Sequence, residues 1–393
     1  FLLIYVPNLR FREFNEQLVY TSFGHVMKLY RGSSPRPIIN YVTTDKSGLN
    51  WIKIGDMPST GNRVFFCKER INKEGSKKSR AVYKGDIILS NSMSFGKPYI
   101  LEIDGFIHDG WFVIRDYQNY IDKTYLCQLL SSDAVQKQYK STAAGGVVKN
   151  ISSDLVNSVK FHLPSIMEQR KIARFLELID QKIEVQIKII NDLVLQKKCI
   201  ISSLLKSVQD NEKIMLKDIL FDYNIKTTIN NEYPVLSSTA SGMYLQSEYF
   251  NKEASSDNTI GYKIIPRGYC TYRSMSDTGL FTFNMQELVE KGIVSPAYPV
   301  FSANDDYINE FIILYLNNSS YIKKQILELK SGGTRFALPF STLCTLKIPK
   351  LDKEKQLSLI KTITAFERKI ENEEMILKAL HQQKNFLLNN MFI

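Results

Sequence analysis

Two distant stretches of this chain repeat one another at a fixed offset, and both have the pattern of a long helix. Asp180-Gln181-Lys182-Ile183-Glu184 reappears as Glu367-Arg368-Lys369-Ile370-Glu371, 187 positions later. The same offset pairs Leu176 with Ile363, Ile190 with Leu377, Leu193 with Leu380, Ile200 with Leu387, and Gly145-Gly146 with Gly332-Gly333. In the first stretch a heptad seam runs through Ile172, Leu176, Ile179, Ile183, Gln186, Ile190, Leu193, Lys197, Ile200 and Leu204. In the second it runs through Leu359, Ile363, Phe366, Ile370, Glu373, Leu377, Leu380, Lys384, Leu387 and Met391, with its polar interruptions at the same two places. Apolar residues spaced this way form a coiled-coil edge. Neither Pro nor Gly falls between Pro164 and Lys206 or after Pro349. Each helix can therefore run about 40 residues, or roughly 60 Å. Such helices could pack each on its own globular domain, but matching seams point to packing on one another.

The repeat divides the 393 residues into domain, helix, domain, helix, with segments at 1–157, 158–206, 207–344 and 345–393. That length suits two cores rather than one. The two non-helical segments read as mixed α/β domains. Strand-like runs are Asp86-Ile87-Ile88-Leu89 and Trp111-Phe112-Val113-Ile114 in the first, and Tyr262-Lys263-Ile264-Ile265 and Tyr298-Pro299-Val300-Phe301 in the second. Pro299 cannot donate to a ladder, which predicts an edge position for the last run. Helical stretches follow near residues 121–138 and 306–329. Each domain then closes with Gly-Gly, a short strand (Val159-Lys160-Phe161; Leu346-Lys347-Ile348) and a long helix.

Net charge is +11, which favours a polyanionic partner. Its distribution is uneven. Residues 1–157 carry 21 basic and 14 acidic side chains, whereas residues 207–344 carry 12 and 15, so the second domain would need a local basic patch, such as Lys263, Arg267 and Arg273. The five cysteines and four histidines are scattered, which speaks against a disulfide framework or zinc cluster and fits a reducing cytoplasm. No apolar run is long enough to span a membrane. The apolar start, Phe1 to Val6, is too short for a signal-peptide core, and opening on Phe rather than Met implies that residues precede it. The chain has no Walker A loop, no Asn-Pro-Pro-aromatic tetrapeptide, no glycine-rich nucleotide fingerprint and no arguable Ser-His-Asp or Cys-His set.

Several segments have the chemistry to meet DNA. Residues 68–84 hold seven basic side chains, among them Lys73, Lys77, Lys78 and Arg80. Gly75 and Ser76 make the segment loop-like, so it could lie along phosphates or be an ordinary solvated loop. Upstream, Arg31, Ser33, Ser34 and Arg36 form a polar run broken by prolines; Arg can read guanine and Ser either kind of base pair. In the second domain Ser237, Ser238 and Thr239 lead to Gln246, and Arg273 follows a strand. Thr334 and Arg335 follow the second Gly-Gly pair, where the backbone could approach a phosphate or cap a helix.

The run Leu163-Pro164-Ser165-Ile166-Met167-Glu168-Gln169-Arg170-Lys171-Ile172-Ala173, with Phe175-Leu176 and residues 180–184, resembles the conserved helix of type I restriction–modification specificity subunits. Val6-Pro7-Asn8-Leu9-Arg10-Phe11 is similar to their opening, and Trp51-Ile52-Lys53-Ile54-Gly55-Asp56 and Lys84-Gly85-Asp86-Ile87-Ile88 to pieces of their target recognition domains. The second helix departs from the pattern, with two extra residues between Pro349 and Lys353-Glu354-Lys355-Gln356, which puts the local turn in question. The resemblance implies a mixed α+β fold with a pseudo-twofold repeat: two similar target recognition domains separated by two long antiparallel coiled-coil helices. It implies that each domain reads half of a split site in double-stranded DNA and that the helices act as a ruler. Two methyltransferase subunits using S-adenosylmethionine would dock on the helices, joined by two restriction subunits using ATP and Mg²⁺, while this chain binds no cofactor and catalyses nothing. The rival readings are a self-contained DNA enzyme with dispersed carboxylates and a coiled-coil scaffold that never meets DNA. Incubation with DNA and cofactors would expose the first, and a salt-dependent gel shift would exclude the second.

Overall fold

The computed structural model describes residues 6–58, 61–91, 96–143, 150–249, 258–329 and 336–393. Two helices dominate: Ile166–Ser207, of 42 residues, and Lys353–Met391, of 39. The chain packs as two compact units, one of residues 1–189 with 373–393 and the other of residues 190–372. Each unit is thus assembled from part of each long helix plus one α/β domain.

In the first unit two five-stranded sheets face one another. One runs Val42–Thr43, Glu69–Ile71, Leu49–Ile52, Gly105–Ile107, Arg80–Val82; the other runs Lys28–Arg31, Trp111–Arg115, Ile87–Ser90, Pro98–Leu101, Arg63–Val64. The central strands of the second sheet are apolar on both faces. Ile88, Tyr99, Leu101, Trp111 and Val113 pack towards the first sheet. Ile87, Leu89, Ile100, Phe112 and Ile114 turn the other way, into a core shared with the helices Lys123–Ser131 and Asp133–Ala143. This is the period of two at work on a strand buried on both sides. The long helix adds Ile172, Leu176, Ile179 and Ile183 to the same core, and the C-terminal helix adds Leu387, Leu388 and Met391. Asp180 pairs with Lys384, and the Gln186 amide donates to the Glu373 carboxylate and backbone carbonyl (2.6 and 3.1 Å). Positions rise along one helix as they fall along the other, so the pairing is antiparallel.

In the second unit a four-stranded sheet runs Leu220–Asp222, Val300–Ala303, Cys270–Tyr272, Phe283–Met285, accompanied by the two-stranded ladders Leu236–Thr239 with Gly242–Leu245 and Lys263–Pro266 with Lys291–Val294. Its core joins Tyr272, Phe283, Phe301, Phe311 and Tyr315 to Ile201 and Leu205 of the first long helix and Leu359 and Ile363 of the second. Lys197 bonds Glu367 at 2.8 Å. Lys197 and Glu367 are the 187-offset equivalents of Lys384 and Asp180, so one ion pair occurs once in each unit.

The repeat extends well beyond the helices. Gln169, 1% exposed, accepts from the Asp122 N–H (2.9 Å) and donates to the carbonyls of Tyr120 and Pro164. Gln356, fully buried, accepts from the Ile308 N–H (2.9 Å) and donates to the carbonyls of Asp306 and Leu351. Gln138 and Gln325 each grip both backbone groups of one strand residue, Lys160 and Lys347 respectively. The two extra residues between Pro349 and the second helix are therefore no insertion. Leu351 takes the place of Pro164, and only the proline has moved.

Three further expectations change. Val300–Ala303 is an interior strand, because Pro299 lies just before the ladder and uses only its carbonyl, which accepts from Thr271 Oγ1 at 2.7 Å. Late in the first helix the buried residues are Ile201 and Leu205, with Ile200 and Leu204 half-buried. A straight helix drifts about 20° per heptad, close to one residue over the four heptads from Ile172. Ile190, Phe366, Ile370, Leu377 and Leu380 are half-buried rather than enclosed, whereas Leu193, Leu359 and Ile363 are buried. Gly145, Gly146, Gly332 and Gly333 lie outside the described residues.

Each buried Gln satisfies three backbone groups, and its loss would leave them without that partner. Gln169→Ala or Gln356→Ala should destabilise its own unit by about 2–4 kcal/mol, the cost of leaving such groups unpaired. Urea unfolding followed by a probe in each unit will measure this, with the exposed Lys182→Ala expected within about 0.5 kcal/mol of wild type.

Candidate nucleic-acid interface

In the first unit the candidate residues gather around one acid that sequence reading missed, Asp109. Arg31 ends a strand, and Gly32 follows it so closely against the neighbouring strand connection that an added Cβ would lie 1.9 Å from the His108 carbonyl oxygen. Only glycine permits that approach, and it sets Ser33 and Ser34 beside the turn at residues 108–110. Ser34 Oγ donates to Asp109 Oδ1 (2.7 Å) and Arg36 Nη2 to Oδ2 (3.0 Å). Arg31 Nε and Asn91 Nδ2 donate to the Asp109 carbonyl (3.3 and 2.8 Å). The Ser34 hydrogen bond foremost, with the Asp109 N–H and the Arg36 charge, holds the Asp109 carboxyl below its usual range against the cost of burial. Ser33 Oγ donates to the Lys78 carbonyl, and Arg80 Nε to that of Arg31. Ser34 and Arg36 also border a groove of about 1010 Å³ walled by Trp51 and Ile54, with Lys53 and Lys68 at its polar edge.

Residues 68–84 are not a loop. They form the strand Glu69–Ile71, the short helix Lys73–Lys77 and the strand Arg80–Val82. Asn72 caps the helix by accepting from the Gly75 N–H (2.8 Å), and Gly75 is buried against Tyr41. Small residues there serve packing rather than flexibility. The cations still face outward: Lys73, Lys77 and Lys78 are exposed, and Lys78 lies over the Tyr41 ring.

In the second unit Ser237, Ser238 and Thr239 belong to a strand instead of a flexible stretch. Asn284 Nδ2 fixes them, donating to Ser238 Oγ (2.8 Å) and the Thr239 carbonyl (2.9 Å). The structure brings these three together with Arg273 around a cavity of about 450 Å³ that also takes in Ser276 and Thr278. Arg273 is exposed and has no ion-pair partner among the described residues. Arg267 lies elsewhere, paired with Glu290 at 3.1 Å, and burial lowers the Lys263 ammonium's pKa, so these three cations do not make the expected single patch. Gln246 opens a short helix away from the Arg273 cavity, its Oε1 buried with no hydrogen-bond partner among the described residues. Thr334 and Arg335 lie outside the described residues. Among the described residues no cluster of His, Cys, Asp and Glu is arranged to hold a metal ion, and no helix is long and apolar enough to cross a membrane.

Residues 24–194 match the family model described as the type I restriction modification DNA specificity domain. Residues 24–194 therefore carry a domain of this specificity family. Solved structures of similar fold include a chain from a study of complex assembly and conformational transition in the type I R-M system, with TM-score 0.65 and 13% identity, covering 96% of this chain and 97% of that one. The HsdS subunit of Thermoanaerobacter tengcongensis aligns with TM-score 0.51 and 14% identity over 94% of this chain and 95% of its own. The type I S subunit of M. genitalium aligns with TM-score 0.51 and 14% identity over 99% of both. The family model covers the first half; the 187-residue offset, carried by Gln356 and Gln325, extends the same architecture to the second. That match supports DNA sequence specificity as the role of these residues, and the repeat carries the same architecture into the second half.

The specificity chain should feel pH at this surface through His108. Its Nδ1 accepts from the Gly110 N–H (2.9 Å), which requires a neutral ring, and burial lowers its pKa more strongly than Asp109 raises it. A depressed histidine stabilises the fold fully above its ordinary value near 6.5, and that contribution fades as pH falls below it. Unfolding free energy of the first unit should therefore decline between pH 6.5 and 5, by at most about 1.4 kcal/mol per pH unit for one proton. His108→Asn should flatten that slope; an unchanged slope would assign it to other groups.

Proposed function

We propose that this chain reads a split, asymmetric site in double-stranded DNA, one half per domain, and carries no catalytic step itself. The observation that carries the reading is the pairing of two related α/β domains whose candidate contact surfaces differ in chemistry. The first has two arginines and two serines around Asp109 with lysines nearby. The second has one arginine, with no ion-pair partner among the described residues, in a cavity lined by hydroxyl groups and Asp277. Unlike surfaces favour unlike half-sites. Lysines flanking such a surface position the duplex through phosphates, while Arg and Ser reach base edges.

Modification is then the work of partners. Phe175, Leu178, Val185 and Ile189 of the first long helix are 36–58% exposed and lie along one face, with Lys182 among them. An apolar edge at heptad spacing fits a helix of a methyltransferase subunit. Two such subunits would bring S-adenosylmethionine, and two restriction subunits would bring ATP and Mg²⁺, in the cytoplasm. The similarity to a chain studied for type I R-M complex assembly supports this arrangement.

Methylome sequencing of cells expressing the chain with its modification subunit should give two unlike half-motifs separated by unread bases. A continuous or palindromic motif would overturn the proposal, and methylation or cleavage by the purified chain alone would make it an enzyme. The docking assignment has its own check. Val185→Glu with Ile189→Glu should cut affinity for the modification subunit at least roughly tenfold, because burying an unpaired charge at an interface costs several kcal/mol. Undiminished co-purification would place the docking face elsewhere.

A further inference from the structure

Arg36 and Arg273 are both exposed arginines at candidate DNA surfaces, yet among the described residues only Arg36 is held by a carboxylate. Asp109 is not a loose surface partner. Its Oδ1 is occupied by Ser34, its backbone carbonyl by Arg31 and Asn91, and its backbone N–H approaches Ser34 Oγ at 3.3 Å. That leaves Oδ2 aimed at Arg36 Nη2, 3.0 Å away. The Arg36 side chain remains 79% exposed, and among the described residues its other N–H donors bond nothing.

A guanidinium has five N–H donors in a planar fork. With one Nη2 hydrogen taken by Asp109, the other Nη2 hydrogen and one hydrogen of the nitrogen beside it remain as a parallel pair. That pair matches the N7 and O6 acceptors of guanine in the major groove. The carboxylate also changes which acceptor is preferred. It offsets the arginine's charge, which weakens attraction to an anionic phosphate, while it fixes the plane that a neutral base edge requires.

We propose that Asp109 is a specificity-determining positioning residue that orients Arg36 to read a guanine in the half-site of the first domain. This rests on the DNA-reading assignment above. Arg273, without such a partner, is free to follow a phosphate or a base.

The test uses the full-length chain with its modification subunit. The motif of the wild type is first established by methylome sequencing. Duplexes in which each position of the first half-site is replaced in turn then measure discrimination. Arg36→Ala and Arg36→Lys should both lose preference for guanine at one position, by roughly 10- to 100-fold, since a lysine cannot reproduce the two-pronged contact. Asp109→Asn should relax the same position and no other. Arg273→Ala should alter only the second half-site. A wild-type chain that binds no duplex overturns the DNA-reading assignment along with this one. If Arg36→Ala instead weakens all duplexes evenly and lowers the salt slope by about one, Arg36 is a phosphate contact and the proposal fails. An unchanged motif in Asp109→Asn also overturns it.

Discussion

The architecture depends on apolar helix edges that no single stretch of chain can cover. Leu176, Ile179 and Ile183 would each forfeit about 1.5–3 kcal/mol if left in water. In the first unit they are covered partly by the domain helices and partly by Leu387, Leu388 and Met391, some 200 residues later in the chain. The same unit ties the chain's start to its end: Leu9 N–H donates to the Asn390 carbonyl (2.9 Å), and His162 N–H to the carbonyl of Ile393 (2.9 Å). Arg10, with both Nε and Nη2 at 2.8 Å from the nearly inaccessible Glu168 carboxylate, locks the opening segment to the first long helix. The first domain therefore completes its packing only when the last helix arrives. Contacts this distant in sequence slow folding, because loop closure precedes their reward.

Polar groups, rather than apolar ones, set how each domain meets its helix. An apolar contact tolerates sliding, whereas a buried amide with three backbone partners does not. Gln169 and Gln356 do this at the start of the two helices, and Gln138 and Gln325 at the strands just before them. All four stand at the same 187-residue offset, so each domain is fastened to its helix by the same hydrogen bonds even though their sheets differ. The first has two five-stranded sheets and the second a four-stranded sheet with small ladders. The residues that fasten each domain are thus distinct from the proposed reading residues, so that surface could vary without loosening the joint.

What was legible in the sequence follows the same division. Heptads, buried strand runs such as residues 87–89 and 111–114, and the 187-residue offset are periodic, and periodicity survives in one dimension. The candidate contacts Ser34 with Arg36, and Ser237 to Thr239 with Arg273, carry enough chemistry to be noticed and do come together. Sequence reading failed where a small or polar residue serves packing. Gly75 looks like a loop breaker but is buried in a capped helix against Tyr41, and Ser238 looks flexible but is gripped by Asn284. Pro299 looks like an edge marker, yet it lies one residue outside the ladder. Asp109 had no signal of its own, because an acid in a turn between two strands is ordinary until Ser34 and Arg36 are seen to converge on it.

That convergence bears on how a subunit with so uneven a charge can discriminate. Residues 1–157 carry an excess of seven positive charges, which alone would bind any duplex. Discrimination requires that some of that charge be withheld from phosphates. Asp109 withholds Arg36 by pairing with it, and Glu74 does the same for Lys77 at 2.9 Å. Lys73 and Lys78 remain exposed to the solvent side without a carboxylate partner among the described residues. The second domain has the opposite difficulty, too little positive charge to hold the duplex by itself. Its Arg273, without an ion-pair partner among the described residues, shares a cavity with hydroxyl groups and Asp277. On the proposed reading, the lysines of one domain would supply affinity and the arginines of both selectivity, a division of labour that one chain carrying both domains can sustain.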